Sequence, residues 1–245
     1  MFENIGEIIL LFWRTLLALP LAWRQRRKIF DQFFEIGNAS LLMVCILSFF
    51  IGGVLSLQTG PLLTEKSLGS YLGGIVGYSN CRELAPIMMS ILIAGRIGSA
   101  MAAEIGSMRV YQEIDALRTM NINPVHYLVL PRLVAMSVAL PMLVVVAIIV
   151  GWFGGAVVAD GNSHIGISFQ AFYSSLRQFV ELKDVANGIF KSFCFAIIIA
   201  IVSCHQGLMT IGGPRGIGRS VTKAVVNSIV LILIFDYFLT RILLK

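Results

Sequence analysis

Long apolar runs separated by short polar stretches divide the chain. About 20 consecutive apolar residues are enough to span the hydrocarbon core of a bilayer. Five runs reach this length, at residues 41–60, 84–103, 133–159, 185–207 and 221–244. They predict five transmembrane helices. The third run is long and contains Pro141, so it could form one kinked helix or a helix followed by a re-entrant segment.

The first thirty residues follow a different pattern. Their apolar residues recur at helical spacing and lie opposite Glu3, Glu7 and Arg14. The basic sequence RQRRK (residues 24–28) follows the apolar part, whereas a secretory signal has its basic residues first. We therefore predict that residues 1–30 form an amphipathic helix lying on the membrane surface, and that residues 31–245 form a five-helix transmembrane domain.

Two more amphipathic segments lie between the apolar runs. From about residue 105 to 120 every third residue is apolar, and Pro124 follows the segment. From about 168 to 181 the apolar residues follow i, i+3, i+4, i+7 spacing. Both are predicted to be short helices, the first cytoplasmic and the second periplasmic. Periodicity alone does not show whether the helix near residues 105–120 has a function beyond connecting two transmembrane helices.

The distribution of basic residues predicts the orientation. RQRRK precedes the first apolar run, so the positive-inside rule places the N-terminus in the cytoplasm. Five crossings then place the C-terminus in the periplasm, and the larger share of the 19 Lys and Arg residues falls on the cytoplasmic side. The net charge of +6 is thereby explained by topology, and no nucleic-acid partner is expected.

Composition agrees with an all-α integral membrane protein. The chain is 57% hydrophobic and only 13% charged, against roughly 25% charge in soluble domains. It contains no H-E-x-x-H, G-x-S-x-G or G-x-x-x-x-G-K-[ST] motif, and its four cysteines and three histidines are scattered. We expect no catalytic residues and no metal site, which disfavours an intramembrane enzyme.

A few charged residues lie inside or beside the apolar runs. Lys191 and Asp236 have opposite charges at similar predicted depths in consecutive antiparallel helices, so they are predicted to form an intramembrane ion pair. Such a pair could be structural or could take part in transport. Arg82 and Glu83 lie directly before the second run. They could belong to an ordinary helix start or form the polar rim of a cavity.

Four motifs together carry a family resemblance. RELAP, AGRIGSAMAAEIGSM, QEIDALRTMNINPVHYLVLPR and GLMTIGGPRGIGRSVTKAVV occur in an order and spacing that resemble the MlaE/YrbE permease family, over about residues 35–240. Members of that family are membrane subunits of ABC transporters that move phospholipids between the membranes of diderm bacteria. This sequence differs in having Ala85 and Asn121 where glycine is common, and His205 where an aromatic residue is usual.

The resemblance implies a homodimeric permease of the bacterial inner membrane. It also implies that the cytoplasmic helix near residues 105–120 is a coupling helix that docks on a separate ABC ATPase, through the charged face of Arg109, Glu113, Asp115 and Arg118. ATP and Mg would then be bound by that partner, with no cofactor on this chain. A STAS-domain subunit and a periplasmic MCE-domain subunit are the further partners implied.

Similar permeases hold lipid in an outward-facing cavity. Carried over by motif, the expected lipid-binding residues are Leu55, Gln58, Arg82, Glu83 and Leu84, although Leu55 and Leu84 could instead be ordinary packing residues. The function implied is phospholipid movement between inner and outer membranes, which maintains outer-membrane lipid asymmetry. The alternative is a secondary transporter that uses an intramembrane ion or proton site such as Asp236.

Overall fold

The chain is almost entirely helical. A computed structural model describes the backbone of residues 2–243, and the side chains of that range except those of residues 2–5, 21, 22 and 24. The ends of the two predicted domains at residues 1, 244 and 245 lie outside the described residues. No strand occurs within residues 2–243, which confirms the all-α prediction. The helices are α1 (Phe2–Leu17), α2 (Arg26–Glu65), α3 (Gly69–Val110), α4 (Glu113–Thr119), α5 (Val125–Gly161), α6 (Phe169–Phe179), α7 (Leu182–Leu208) and α8 (Gly213–Leu243).

Five of these helices, α2, α3, α5, α7 and α8, are long and apolar enough to cross a membrane. The shortest, α7, has 27 residues, which at 1.5 Å per residue is about 40 Å and exceeds the hydrocarbon thickness of about 30 Å. Each predicted run lies within one of the five helices, except for residue 244. The protein is therefore a multi-pass membrane protein. Residues 125–161 form one helix that includes Pro141, so the third run contains no re-entrant piece.

The boundaries between helices follow local backbone chemistry. A 3₁₀ turn, Leu19–Gln25, contains Pro20 and separates α1 from α2, so the predicted domain boundary at residue 30 falls inside α2. The Oγ of Ser168 accepts a hydrogen bond from the backbone N–H of Ala171 and caps α6. Gly212 lies between α7 and α8 and Gly213 is the first residue of α8; their φ angles of 95° and 69° are readily available to glycine.

The predicted helix near residues 105–120 is interrupted. Helix α3 ends at Val110, and α4 begins at Glu113 after Gln112, whose φ of 61° lies in the left-handed region. Asn121, which follows α4, has a φ of 62°. Asparagine tolerates this conformation better than most residues, which explains how it occupies a position where the resembling family often has glycine.

The described residues divide into two compact units. The first comprises the described part of three segments, residues 2–38, 90–140 and 193–243, and the second comprises residues 39–89 and 141–192. Several long helices contribute a segment to each unit.

Small residues allow close helix packing in the first unit. A Cβ atom added to Gly207 would lie 2.7 Å from Ile105 Cβ, so α3 and α7 approach closely there. One added to Gly106 would lie 2.9 Å from Oγ1 of Thr210, which follows α7 in the chain. Helix α8 packs on the second half of α3 and buries a residue at every fourth position: Gly216, Ser220, Ala224, Ser228 and Ile232. Membrane helices commonly use small residues in this way, because dispersion contacts between them replace the hydrophobic effect.

The second unit has an apolar cluster where α6 packs on the start of α3. Leu72, Val76, Phe172 and Leu176 are buried in it, and Leu55 packs against it from α2. The backbone N–H of Gly74 donates a hydrogen bond to Ser175 Oγ at 3.0 Å. The outer face of α6 remains exposed, as its amphipathic sequence predicts.

Candidate functional site

A widened helical turn in α3 carries three of the predicted site residues. Residues Asn80–Leu84 form a π-helical segment that includes Arg82, Glu83 and Leu84. Pro86 follows two residues later, and because proline has no N–H it cannot bond to the carbonyl of Arg82. A π-helical turn accommodates such a gap in the hydrogen-bond ladder, and turns of this kind occur frequently at functional sites. The sequence motif RELAP thus places two adjacent charged residues on an irregular turn.

Glu83 forms an ion pair with a buried lysine of α7. The Nζ atom of Lys191 lies 2.6 Å from Oε2 of Glu83. The Lys191 side chain is 1% exposed, whereas that of Glu83 is 34% exposed. Removing an ammonium group from water costs several kcal/mol unless a partner of opposite charge compensates, so the contact with Glu83 offsets part of the cost of burying Lys191.

Arg82 takes part in a second ion pair of the same two helices. Its Nη1 atom lies 3.5 Å from Oδ1 of Asp184, and both side chains are nearly buried. Arg82 also donates a hydrogen bond to the hydroxyl of Tyr78, and its guanidinium carbon lies 5.2 Å from the centre of the Tyr78 ring. We call Tyr78, Arg82, Glu83, Asp184 and Lys191 the polar cluster.

The other predicted lipid-binding residues, Leu55, Gln58 and Leu84, differ in solvent exposure. Gln58 is exposed, whereas Leu55 and Leu84 are half-buried. Leu55 contacts the apolar cluster, and its role in lipid binding stays a prediction. The structure brings Arg82, Glu83 and Leu84 together on one turn, and Leu55 and Gln58 are on α2.

The sequence pattern predicts a different partner for Lys191, namely Asp236. Asp236 belongs to the first unit and Lys191 to the second, and the pairing of these two residues stays a prediction. Glu83 was missed as a partner of Lys191 because the two residues are 108 positions apart. The available signal was that Lys191 was predicted to be buried and therefore needed an acidic partner near the same end of a neighbouring helix.

A second set of charged residues lies on α4 and at the end of α3, in the first unit. Asp115 Oδ1 lies 2.7 Å from Arg109 Nη1 and 3.7 Å from Arg118 Nη1, so three of the four predicted coupling residues form one ion network. Glu113 is exposed, as are Asp115 and Arg118, while Ile114 is buried beneath them. Helix α4 therefore presents a charged outer face and is anchored through one apolar residue.

Two further contacts between ionisable side chains lie in the first unit. Arg132 is 4% exposed, and its Nη2 atom lies 2.7 Å from Oε1 of Glu104. His205 is also buried, and its Nε2 atom lies 3.3 Å from Oε2 of Glu7 on α1. His205 stands where the resembling family usually has an aromatic residue.

These arrangements offer charged side chains that can bind a ligand or a partner. No group of three or more His, Cys, Asp or Glu residues within the described chain could hold a metal ion. The charged groups are instead engaged with one another in ion pairs. They can recognise charged ligands or partner surfaces through charge-assisted hydrogen bonds.

Comparison with known proteins identifies the family. The family model described as Permease MlaE matches residues 29–242 of the chain. This chain belongs to the MlaE permease family. Its relatives include a probable ABC transporter permease protein of Synechocystis sp., 39% identical over 220 residues that cover 90% of this chain and 83% of the relative. A probable ABC transporter permease protein of Rickettsia typhi is 39% identical over 217 residues, 89% of this chain and 83% of the relative.

A chloroplast protein is also related. The protein TRIGALACTOSYLDIACYLGLYCEROL 1 of Arabidopsis thaliana is 36% identical over 235 residues, 96% of this chain and 65% of the relative. The family match confirms the resemblance recognised in the four sequence motifs. An MlaE permease is a transport subunit of an ABC transporter, and the ATP-hydrolysing subunit of such a transporter is its partner.

Proposed function

We propose that this MlaE permease moves phospholipids between the inner and outer bacterial membranes, driven by a separate ATPase subunit. The transporter maintains the lipid asymmetry of the outer membrane. The permease acts in the inner membrane as a homodimer, with its N-terminus in the cytoplasm and its C-terminus in the periplasm. A STAS-domain subunit and a periplasmic MCE-domain subunit complete the complex. ATP and Mg are bound by the ATPase, and this chain requires no cofactor of its own.

The polar cluster is the observation that carries this proposal. It combines cationic and anionic side chains of two membrane helices, and Leu84 adjoins it on the same turn. A phospholipid has a charged headgroup next to apolar chains, so it requires polar and apolar groups side by side. The name of the Arabidopsis relative contains that of a diacylglycerol lipid, which supports a lipid as cargo.

The charged face of α4 is proposed as the surface that docks on the ATPase. Arg109, Asp115 and Arg118 hold one another in a fixed arrangement, which lowers the side-chain entropy lost on docking. Glu113 adds an exposed charge on the same helix. In this arrangement α4 transmits the movement of the ATPase to α3 and α5, which adjoin it in the chain.

Reconstitution tests the function directly. The permease is assembled with its ATPase in proteoliposomes that contain a radiolabelled phospholipid, and ATP-dependent transfer to an acceptor is measured. A variant ATPase that binds but does not hydrolyse ATP serves as control. We expect transfer only with the active ATPase, and a loss of transfer in Leu84→Asp with the assembled complex retained. ATP-driven movement of a water-soluble solute, with no lipid transfer, would refute the proposal.

A further inference from the structure

The first unit contains a cleft that adjoins the proposed docking face of α4 and shares Arg109 and Arg118 with it. The cleft has a volume of about 550 Å³ and lies between α1, the ends of α3 and α7, and the segment from α4 to the start of α5. Its apolar lining includes Leu10, Leu11 and Met209. It is large enough for a small polar group together with part of an apolar chain.

Three arginines from three different helices line this cleft. Arg14 comes from α1, Arg109 from the end of α3, and Arg118 from α4. Asp115 pairs with the last two, and Glu7 pairs with His205. Arg14 is exposed, and it forms no ion pair or side-chain hydrogen bond with any other residue that the structure describes. The side chains around the cleft thus retain positive charge, concentrated at Arg14.

Helix α1 presents two different faces. Glu7, Leu10, Leu11 and Arg14 follow i, i+3, i+4, i+7 spacing and line the cleft, so they share one side of the helix. On another side, Ile9, Trp13 and Leu16 are 61%, 59% and 39% exposed. A helix with an exposed apolar face of this kind lies with that face about 5–10 Å into the boundary between headgroups and acyl chains.

This placement brings lipid phosphates within reach of Arg14. A helix with its side chains is about 10–12 Å across. If the apolar face of α1 lies in the membrane, the cleft on its other side is no farther than that distance from the headgroup layer. The long arginine side chain can cover much of this distance, because it extends its charged end toward the interface while its stem stays on apolar surface.

We propose that the cleft binds the phosphate group of a phospholipid headgroup from the leaflet beside α1. Arg14 is the principal ligand of the phosphate, and the rim of Arg109 and Arg118 adds positive charge. Leu10, Leu11 and Met209 contact the glycerol and the upper part of an acyl chain. This lipid is a bound component of the permease and is distinct from the cargo, so the inference does not depend on the proposed transport activity.

Photo-crosslinking identifies the occupant of the cleft. A photoreactive amino acid is placed at Met209, which lines the cleft and is 48% exposed, and in a control protein at Ile211, which is 84% exposed and does not line it. The full transporter is irradiated in its native membrane, and the adducts are analysed by mass spectrometry. We expect phospholipid adducts at position 209 that exceed those at position 211. Adducts with the ATPase polypeptide at 209, or equal labelling at both positions, would overturn the proposal.

Substitution of the arginine tests the phosphate contact. Loss of a hydrogen bond to a charged group corresponds to a decrease in affinity of about tenfold or more. Arg14→Gln should therefore decrease the lipid adduct at position 209 by about tenfold, and Arg14→Lys should retain part of it. The matched control is Arg219→Gln, which removes one exposed positive charge from α8 in the same unit and should leave the adduct unchanged. An equal decrease in both glutamine variants would show only general attraction to the membrane and would refute the site.

A soluble phosphate ion carries the same charged group as a phospholipid headgroup, so a separate experiment distinguishes the two as occupants of the cleft. The thermal stability of the purified permease is measured with inorganic phosphate, with sulfate, and with phosphatidylglycerol in mixed micelles. We expect an Arg14-dependent increase with phosphatidylglycerol only. An Arg14-dependent increase with inorganic phosphate alone would assign the cleft to a soluble anion and would contradict the lipid assignment.

Discussion

The Nζ atom of Lys191 lies 2.6 Å from the Glu83 carboxylate, although the two residues are separated by 108 positions in the sequence. The lysine is buried and the glutamate is half-buried, so the pair links α3 to α7 inside the second unit. Ion pairs within a membrane domain are retained where they hold helices in a defined arrangement or take part in transport.

A double-mutant cycle measures this link. Glu83→Gln, Lys191→Met and the double variant are compared by thermal unfolding in detergent or nanodiscs. Because each single change leaves one charge without this partner, we expect a coupling free energy of about 1–3 kcal/mol. A cycle between Lys191→Met and Arg177→Gln, an exposed residue of α6, is the control and should be additive. Additivity between positions 83 and 191 would contradict the structural link.

The predicted pairing of Lys191 with Asp236 requires its own cycle. An exchange of the two charges would place an aspartate at position 191 beside Glu83, where the two like charges would repel. Neutral variants avoid this effect, so Lys191→Met and Asp236→Asn are combined instead. We expect a coupling free energy of about 1 kcal/mol or more if the two residues pair. Additive losses of stability would show that Asp236 acts independently of Lys191.

Charge reversal on α4 tests docking of the ATPase. Glu113→Arg changes an exposed charge outside the network of Arg109, Asp115 and Arg118, so the folded permease should be unaffected. Like charges juxtaposed at an interface oppose association, and we expect at least a tenfold decrease in ATPase co-purification. Glu65→Arg makes the same change at the exposed end of α2 and should retain the complex. Full co-purification and coupled ATP hydrolysis in Glu113→Arg would argue against docking through this face.

Asp115→Arg should weaken ATPase docking and should also disrupt the ion network of Arg109, Asp115 and Arg118. It removes the carboxylate that holds Arg109 and Arg118, and places a third positive charge beside them. The loss of the exposed ion pairs alone should cost about 1 kcal/mol or less, because water screens them. Thermal unfolding of the isolated permease separates this local change from a loss of ATPase binding. A large decrease in melting temperature would show that the network stabilises the fold itself.

Close packing of α3 on α7 predicts unequal effects of two glycine substitutions. In Gly207→Ala the new Cβ atom would lie 2.7 Å from Ile105 Cβ, so the helices must separate. Overpacking of this kind typically costs about 1–3 kcal/mol. Gly95→Ala on α3 meets no atom within 4 Å and should be neutral or slightly stabilising, because alanine favours a helix over glycine. Equal melting temperatures for the two variants would refute the close approach at Gly207.

The membrane-spanning helices were predictable from the sequence because their determinant is local. A run of apolar residues long enough to cross hydrocarbon must satisfy its backbone hydrogen bonds within itself, and a single helix does so without help from distant residues. All five runs accordingly lie in long helices, apart from residue 244 outside the described range. The family could also be recognised from the sequence, because its motifs are local stretches. The family match over residues 29–242 confirms that recognition.

The break between α3 and α4 was not predictable in the same way. The apolar period of three continues from Tyr111 to Ile114 across the break, and neither Tyr111 nor Gln112 is a typical helix breaker. Gln112 adopts a left-handed conformation, while Ile114 is buried in the first unit. We infer that burial of Ile114 compensates for the unfavourable backbone conformation, which is a balance that only tertiary packing can set.

The sequence by itself determined which segments are helical, which of them can cross a membrane, and which charged residues lie among apolar ones. Each of these properties depends on neighbours a few residues away. Tertiary structure decided that Lys191 contacts Glu83, that Arg82 contacts Asp184, and that Arg14 shares a cleft with Arg109 and Arg118. These contacts depend on which helix faces meet, and that choice is made by the packing of small and apolar residues distributed along the whole chain.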